Sequence, residues 1–174
     1  GLIHNDLNEY NLLADTQGLT GIIDFGDIAY APRIYDLAIA MVYIAYDKED
    51  YLSWSAALLK GYFDKAPLSQ LELELLYYVM AMRLCASLCN SAEAKVTQPE
   101  NEYAGVSEDR AIKMLLSWLE IGPIKALEHY TNATSSASSS SLSANEKLEE
   151  RHKFLSKSLS VSYEQPLYLK RAAL

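Results

Sequence analysis

GLIHNDLNEYNLLADTQGLTGIIDFGD, residues 1–27, decides how the rest of the chain is read. Residues 1–3 read as the end of a strand, and a polar cluster follows at once: His4, Asn5, Asp6, Asn8 and Asn11. NLLAD (11–15), the turn TQGL (16–19) and TGIIDF (20–25) then read as strand, turn and strand, with Gly18 and Gly21 as punctuation. Folding that hairpin back brings Asn11 towards Asp24. An amide oxygen and a carboxylate are hard ligands, suited to Mg²⁺, which keeps several waters and shares its shell with substrate phosphates. Asp6 would stand beside such an ion without ligating it, where a carboxylate can accept a proton from an attacking hydroxyl.

The spacing matches two kinase motifs: H-x-D-x-x-x-x-N for the base and one metal ligand, then D-F-G for the other. Here they read His4-Asn5-Asp6-Leu7-Asn8-Glu9-Tyr10-Asn11 and Asp24-Phe25-Gly26. A lone DFG can be an ordinary turn. The plainer alternative, a polar hairpin with side chains closing their own turns, does not ask for both motifs in order. Asp27 extends the second motif to IDFGD and reads equally as a site residue, positioning metal or an aminated substrate, or as a turn cap.

Beyond Pro32 the period becomes helical. Residues 33–46, RIYDLAIAMVYIAY, are apolar on nearly every face, which predicts a helix buried on most sides. A second helix is predicted over 49–63, with Trp54, Leu58, Leu59 and Tyr62 on its apolar side. Leu68, Ser69, Glu72 and Leu73 then carry a hydrophobic staple and a capping box, opening a helix to about Ala92. Arg83 lies in an otherwise apolar part of it, with Asn90 further along. The two could contact a substrate carboxylate or amide, or Arg83 could simply pair with an acid. Ser107 is placed to cap a fourth helix, which Gly122 and Pro123 interrupt before PIKALEHY continues. Residues 131–145, TNATSSASSSSLSAN, contain seven Ser and almost no large apolar side chain. Such a stretch cannot bury enough surface to offset its ordering entropy and reads as a flexible linker. A short charged helix and an alternating tail follow, over 146–174.

The chain has 174 residues, half of them hydrophobic, and a net charge of −8. The acidic balance argues against a nucleic-acid surface, which clusters Lys and Arg. No apolar run is long enough to span a membrane. Cys85 and Cys89, four apart on one helix, suit neither a disulfide nor a metal set, and are expected to be core-facing thiols in a reducing cytoplasm.

IHNDLNEYNLL and GIIDFGDIAYAPRIYDLAIA resemble the catalytic loop, metal loop and following helix of the aminoglycoside phosphotransferase and choline kinase-like family. RLCASLCNSA resembles a hydroxylysine kinase-like branch, some members of which are fused to a class III, pyridoxal-phosphate-dependent aminotransferase. SLSVSYEQPLYLKRA is similar to the segment that opens that aminotransferase part. The resemblance implies a mainly α chain with a small β-hairpin, the C-terminal lobe of a protein kinase-like α+β fold without its N-terminal lobe. Its domains would be a phosphotransferase lobe over 1–130, a linker over 131–145 and the edge of a following domain over 146–174. It implies an ATP- and Mg²⁺-dependent kinase acting on a hydroxyl of a small, amine-bearing metabolite. Asp6 would be the base, Asn11 and Asp24 the metal ligands, and His4 a brace. Asp36 would fasten backbone N–H groups of the loop to the buried helix. The Gly-rich cover, its Lys and its Glu would precede residue 1, so the isolated chain is expected to be an inactive fragment. The alternative is a non-catalytic kinase-like module attached to the aminotransferase, whose pyridoxal phosphate would bind downstream and not in this chain.

Overall fold

The computed structural model describes residues 1–16, 18–97 and 103–135. They form two units: the hairpin Glu9–Asp24, and a helical unit of Gly1–Asn8 with the chain from Phe25 on. The architecture is mostly helical with two small two-stranded sheets.

In the hairpin, β2 (Leu12–Asp15) pairs antiparallel with β3 (Gly18–Ile22), with an irregularity between Leu13 and Ala14. The second strand starts and stops earlier than its composition predicts. Gly18 turns the chain at φ +123°, and Asp24 at φ +62° is left-handed, so the extended run cannot reach residue 25. A short 3₁₀ turn, Phe25–Asp27, takes its place.

That unit begins with β1 (Leu2–Ile3), paired antiparallel with β4 (Ala29–Tyr30), a strand the sequence reading did not identify. Four helices follow: α1 (Arg33–Ala45), α2 (Tyr51–Phe63), α3 (Gln70–Thr97) and α4 (Tyr103–Ser135). One continuous core joins them. Helix α1 is buried on most of its surface through Ile34, Leu37, Ala38, Ile39, Met41, Val42 and Ala45. Helix α2 turns Leu52, Ser55, Ala56 and Leu59 inward and leaves Trp54, Leu58 and Tyr62 half-buried, so the apolar side read from the sequence is displaced. The buried Ser55 is matched: its hydroxyl lies 2.8 Å from that of Tyr130 on α4. Lys48 instead sits 4.6 Å from the centre of the Trp54 ring.

The capping box of α3 forms as its residues dictate. Glu72 accepts from the Ser69 N–H at 2.7 Å, and the Ser69 hydroxyl accepts from the Glu72 N–H at 3.3 Å. Leu68 and Leu73 are both in the core. The helix continues past Ala92 to Thr97. Its apolar residues run all the way round, and Leu71, Leu75, Tyr78, Met82, Cys85 and Cys89 are exposed. The cysteines are therefore not core-facing. The i, i+3, i+4, i+7 pattern that faces the core is carried by Leu73, Leu76, Tyr77, Met80 and Leu84.

Helix α4 starts before Ser107, which lies inside it rather than capping it. Gly122 adopts φ +74°, ψ 162° and kinks the helix, and Pro123 follows where a helix start tolerates a missing N–H. The second half then runs to Ser135, past the composition boundary at 131. Tyr130 and Thr134 are buried on one face, and Thr134 and Ser135 return their hydroxyls to the carbonyls of Tyr130 and Thr131. The remainder of the Ser-rich stretch and residues 146–174 lie outside the described residues. No helix among the described residues is long and apolar enough to cross a membrane.

Candidate active site

The loop after β1 is fixed from below by α1. Asp36 sits in the first turn of that helix. Its Oδ2 accepts the His4 N–H at 3.2 Å and its Oδ1 accepts the Asn5 N–H at 2.9 Å. Asn5 turns the chain at φ +68°, a left-handed conformation that Asn adopts more readily than most residues. His4 is buried; its Nδ1 accepts the Asp6 N–H at 3.4 Å and its ring lies 5.0 Å from that of Phe25, tilted at 55°. His4 thus links the first motif to the Phe of the second by packing.

Asp6 leaves this scaffold with both carboxylate oxygens engaged. Oδ2 accepts from the Asn8 side-chain amide at 2.9 Å, and Oδ1 accepts from Arg83 Nη2 at 3.1 Å. Asn8 also donates its N–H to the Asp6 carbonyl at 3.0 Å, closing a tight turn that aims its side chain back. The same Arg83 Nη2 donates to the Tyr43 hydroxyl at 2.8 Å, and the guanidinium carbon lies 5.4 Å from the Tyr43 ring centre. The side chains of Arg83 and Asp6 are 21% and 28% exposed, so the pair is within reach of a ligand yet not fully hydrated. Tyr43 stands seven residues after Asp36, two turns along α1 on the same face. One buried helix therefore holds the loop backbone at one point and the partner of its carboxylate at another.

In the hairpin unit, Ile23 donates its N–H to the Asn11 carbonyl at 3.0 Å, which sets Asn11 opposite the residue before Asp24. Asn11 is buried and Asp24 exposed. An amide and a carboxylate at adjoining positions suit a hard cation that completes its shell from phosphate and water. Among the described residues, no group of three or more His, Cys, Asp or Glu makes a self-sufficient metal cage. Asp27 ends the 3₁₀ turn and is exposed. Asn90 is exposed near the C-terminal end of α3.

Sequence reasoning did not single out Asn8 or Tyr43. A signal for each was present: Asn8 is two residues beyond Asp6, in reach of a local turn, and Tyr43 shares a helix face with Asp36.

Residues 1–71 match the phosphotransferase enzyme family. The chain is similar to the hydroxylysine kinase of Danio rerio, 30% identical over 125 residues that cover 68% of this chain and 35% of that protein. It is also similar to the hydroxylysine kinases of Mus musculus and Bos taurus, each 27% identical over 150 residues, covering 80% of this chain and 40% of each relative. The chain thus spans roughly a third to two fifths of the length of these curated relatives. No solved structure matches it.

Proposed function

We propose that this chain is the C-terminal lobe of an ATP- and Mg²⁺-dependent kinase that phosphorylates a hydroxyl of a small, amine-bearing metabolite. The observation that carries the reading is the presentation of Asp6. Its carboxylate is held at both oxygens, on a loop whose preceding N–H groups are gripped by Asp36. Phosphoryl transfer needs little covalent help from a protein, so positioning of this kind is the main contribution a side chain can make. The kinase relatives and the family match over residues 1–71 support the same reading.

In this reading the acceptor oxygen attacks the γ-phosphorus of ATP. The new O–P bond forms as the bond from that phosphorus to the β,γ-bridging oxygen breaks, ADP leaves, and the hydroxyl proton passes to Asp6. Asn11 and Asp24 hold Mg²⁺, which neutralises charge on the phosphates when bound. Asp36 and His4 keep the loop in place. Asp27 and Asn90 belong to the acceptor side, where a carboxylate suits an amine. A Gly-rich cover over the phosphates and a Lys are the further parts that a kinase of this kind uses.

The protein is read as cytoplasmic, without nucleic-acid or membrane partners. The segment 146–174, whose tail is similar to the start of a class III aminotransferase, is read as the edge of a fused pyridoxal-phosphate-dependent domain. A kinase-like module serving that domain without catalysis is the alternative.

Calorimetric titration of Mg·ATP into the full-length protein tests the metal assignment. Asp24→Ala should weaken binding while Asp6→Ala leaves it near wild type. Wild-type affinity in Asp24→Ala would remove Asp24 from its role.

A further inference from the structure

Arg83 is the only charged residue between Glu74 and Glu93 on α3. A lone arginine in so apolar a helix invites reading as an anchor for a substrate carboxylate. Its contacts favour another task. Nη2 is shared between Asp6 Oδ1 and the Tyr43 hydroxyl, and Nε is a buried donor with no hydrogen-bond partner. An acceptor cannot reach a buried Nε, and a carboxylate drawn to Nη2 would have to compete with Asp6 itself.

We propose that Arg83 is a positioning residue for the base: held by Tyr43, it fixes Oδ1 of Asp6 while Asn8 fixes Oδ2, so that α3 and the loop together set the plane of the carboxylate. The inference rests on the reading of Asp6 as the base and adds how that base is aimed. A carboxylate on a short side chain rotates broadly about its last torsion. Two donors, one at each oxygen, remove that freedom. A carboxylate oxygen can accept more than one hydrogen bond, so restraint by a donor is compatible with taking a proton. The Arg83 bond is charge-assisted and so the stronger of the two restraints. Tyr43 matters because an arginine left to swing would carry the carboxylate with it. Its hydroxyl and ring limit the guanidinium from the side of α1.

The test is steady-state kinetics on the full-length protein with ATP and a hydroxylated amino acid as acceptor. Wild type is compared with Arg83→Gln, Arg83→Lys, Asp6→Asn and the Asp6→Asn/Arg83→Gln double variant, each checked by thermal unfolding. Arg83→Gln should lower kcat by about a hundredfold, the scale of a misaimed catalytic group, with acceptor KM unchanged. Arg83→Lys, which keeps the charge but not the planar fork, should recover part of that loss. The double variant should be no slower than Asp6→Asn alone, because no base remains to be aimed. A loss expressed in acceptor KM would overturn the proposal in favour of a substrate anchor. A further loss on top of Asp6→Asn would overturn it in favour of a role for Arg83 that does not pass through Asp6. Wild-type kcat in Arg83→Gln, with Asp6→Asn inactive, would overturn it outright while leaving the kinase reading intact. Wild-type turnover in Asp6→Asn would instead remove that reading, and this inference with it. Should Arg83→Gln fail to fold, Arg83→Lys carries the same comparison, with a fall in kcat at constant KM expected.

Discussion

Oδ1 of Asp36 accepts the backbone N–H of Asn5 at 2.9 Å, across 31 residues of chain, and Asn5 stands at φ +68°. The bond stabilises a backbone turn that is unfavourable by itself and fixes where the next residue, Asp6, leaves the loop. Asp36→Ala would leave the His4 and Asn5 N–H groups without this acceptor. The loss should be about 1–3 kcal/mol of unfolding free energy, the usual scale for a stranded, partly buried donor. Denaturant titration measures it. Turnover of the full-length protein should fall as well, although Asp36 touches no substrate in this account.

Gly122 marks the kink of α4 at φ +74°, ψ 162°. A Cβ added there meets nothing within 4 Å, so the effect of Gly122→Ala comes from the backbone alone. The substitution should destabilise by about 1–3 kcal/mol, the cost of a non-glycine residue in that region. Thermal unfolding reads it, and an unchanged midpoint would contradict the kink geometry.

The capping box of α3 should show in acid. Hydrogen bonding from the Ser69 backbone N–H, then from its hydroxyl, holds the Glu72 carboxyl below its ordinary value of 4.5. A depressed folded value means that the contribution is present above the unfolded value and disappears as pH falls through the folded one. The stability difference between wild type and Glu72→Gln should therefore be largest above about pH 4.5 and shrink below it. Ser69→Ala should cost about 1 kcal/mol at neutral pH.

Tyr130 is fully buried, with its hydroxyl against Ser55 and 3.4 Å from the Met80 sulfur, and burial pushes that hydroxyl up. Tyr130→Phe should cost only about 1 kcal/mol, because the Ser55 hydroxyl can still donate to backbone carbonyls of its own helix. Trp118→Ala, which empties a large fully buried volume, should cost about 3–5 kcal/mol. A reversed order, by chemical denaturation, would contradict the packing described for α4.

Much of this was legible in the residues because the signals are local. Ser69 with Glu72, Pro32 before a run of apolar residues, and Gly122 with Pro123 each specify their structure within a turn or two. The elements misplaced are those set by distant partners. β4 is only two residues long and exists because β1 pairs with it. The run of α4 past 131 follows core contacts, with Ala133 and Thr134 packed inward despite a poor local composition. Cys85 and Cys89 look core-facing by hydrophobicity, yet α3 is apolar on every side and only its other face meets α1 and α4. At the candidate site, His4, Asp6, Asn11 and Asp24 stood out through motif spacing, and Asp36 through the family resemblance. The bond from Arg83 to Asp6 spans 77 residues and could not be read from spacing. Tyr43 shares a helix face with Asp36, but as one tyrosine among 13 it did not stand out.

The central claim is that Asp6 takes the proton of an acceptor hydroxyl as it is phosphorylated. The most direct measurement is ³¹P NMR of the full-length protein with Mg·ATP and a hydroxylated amino acid, wild type against Asp6→Asn, with nucleotide binding checked in both. The account predicts a phosphate monoester and ADP accumulating with wild type, and at least about a hundredfold slower formation in Asp6→Asn despite retained Mg·ATP binding. Equal rates of monoester formation in the two proteins would contradict it.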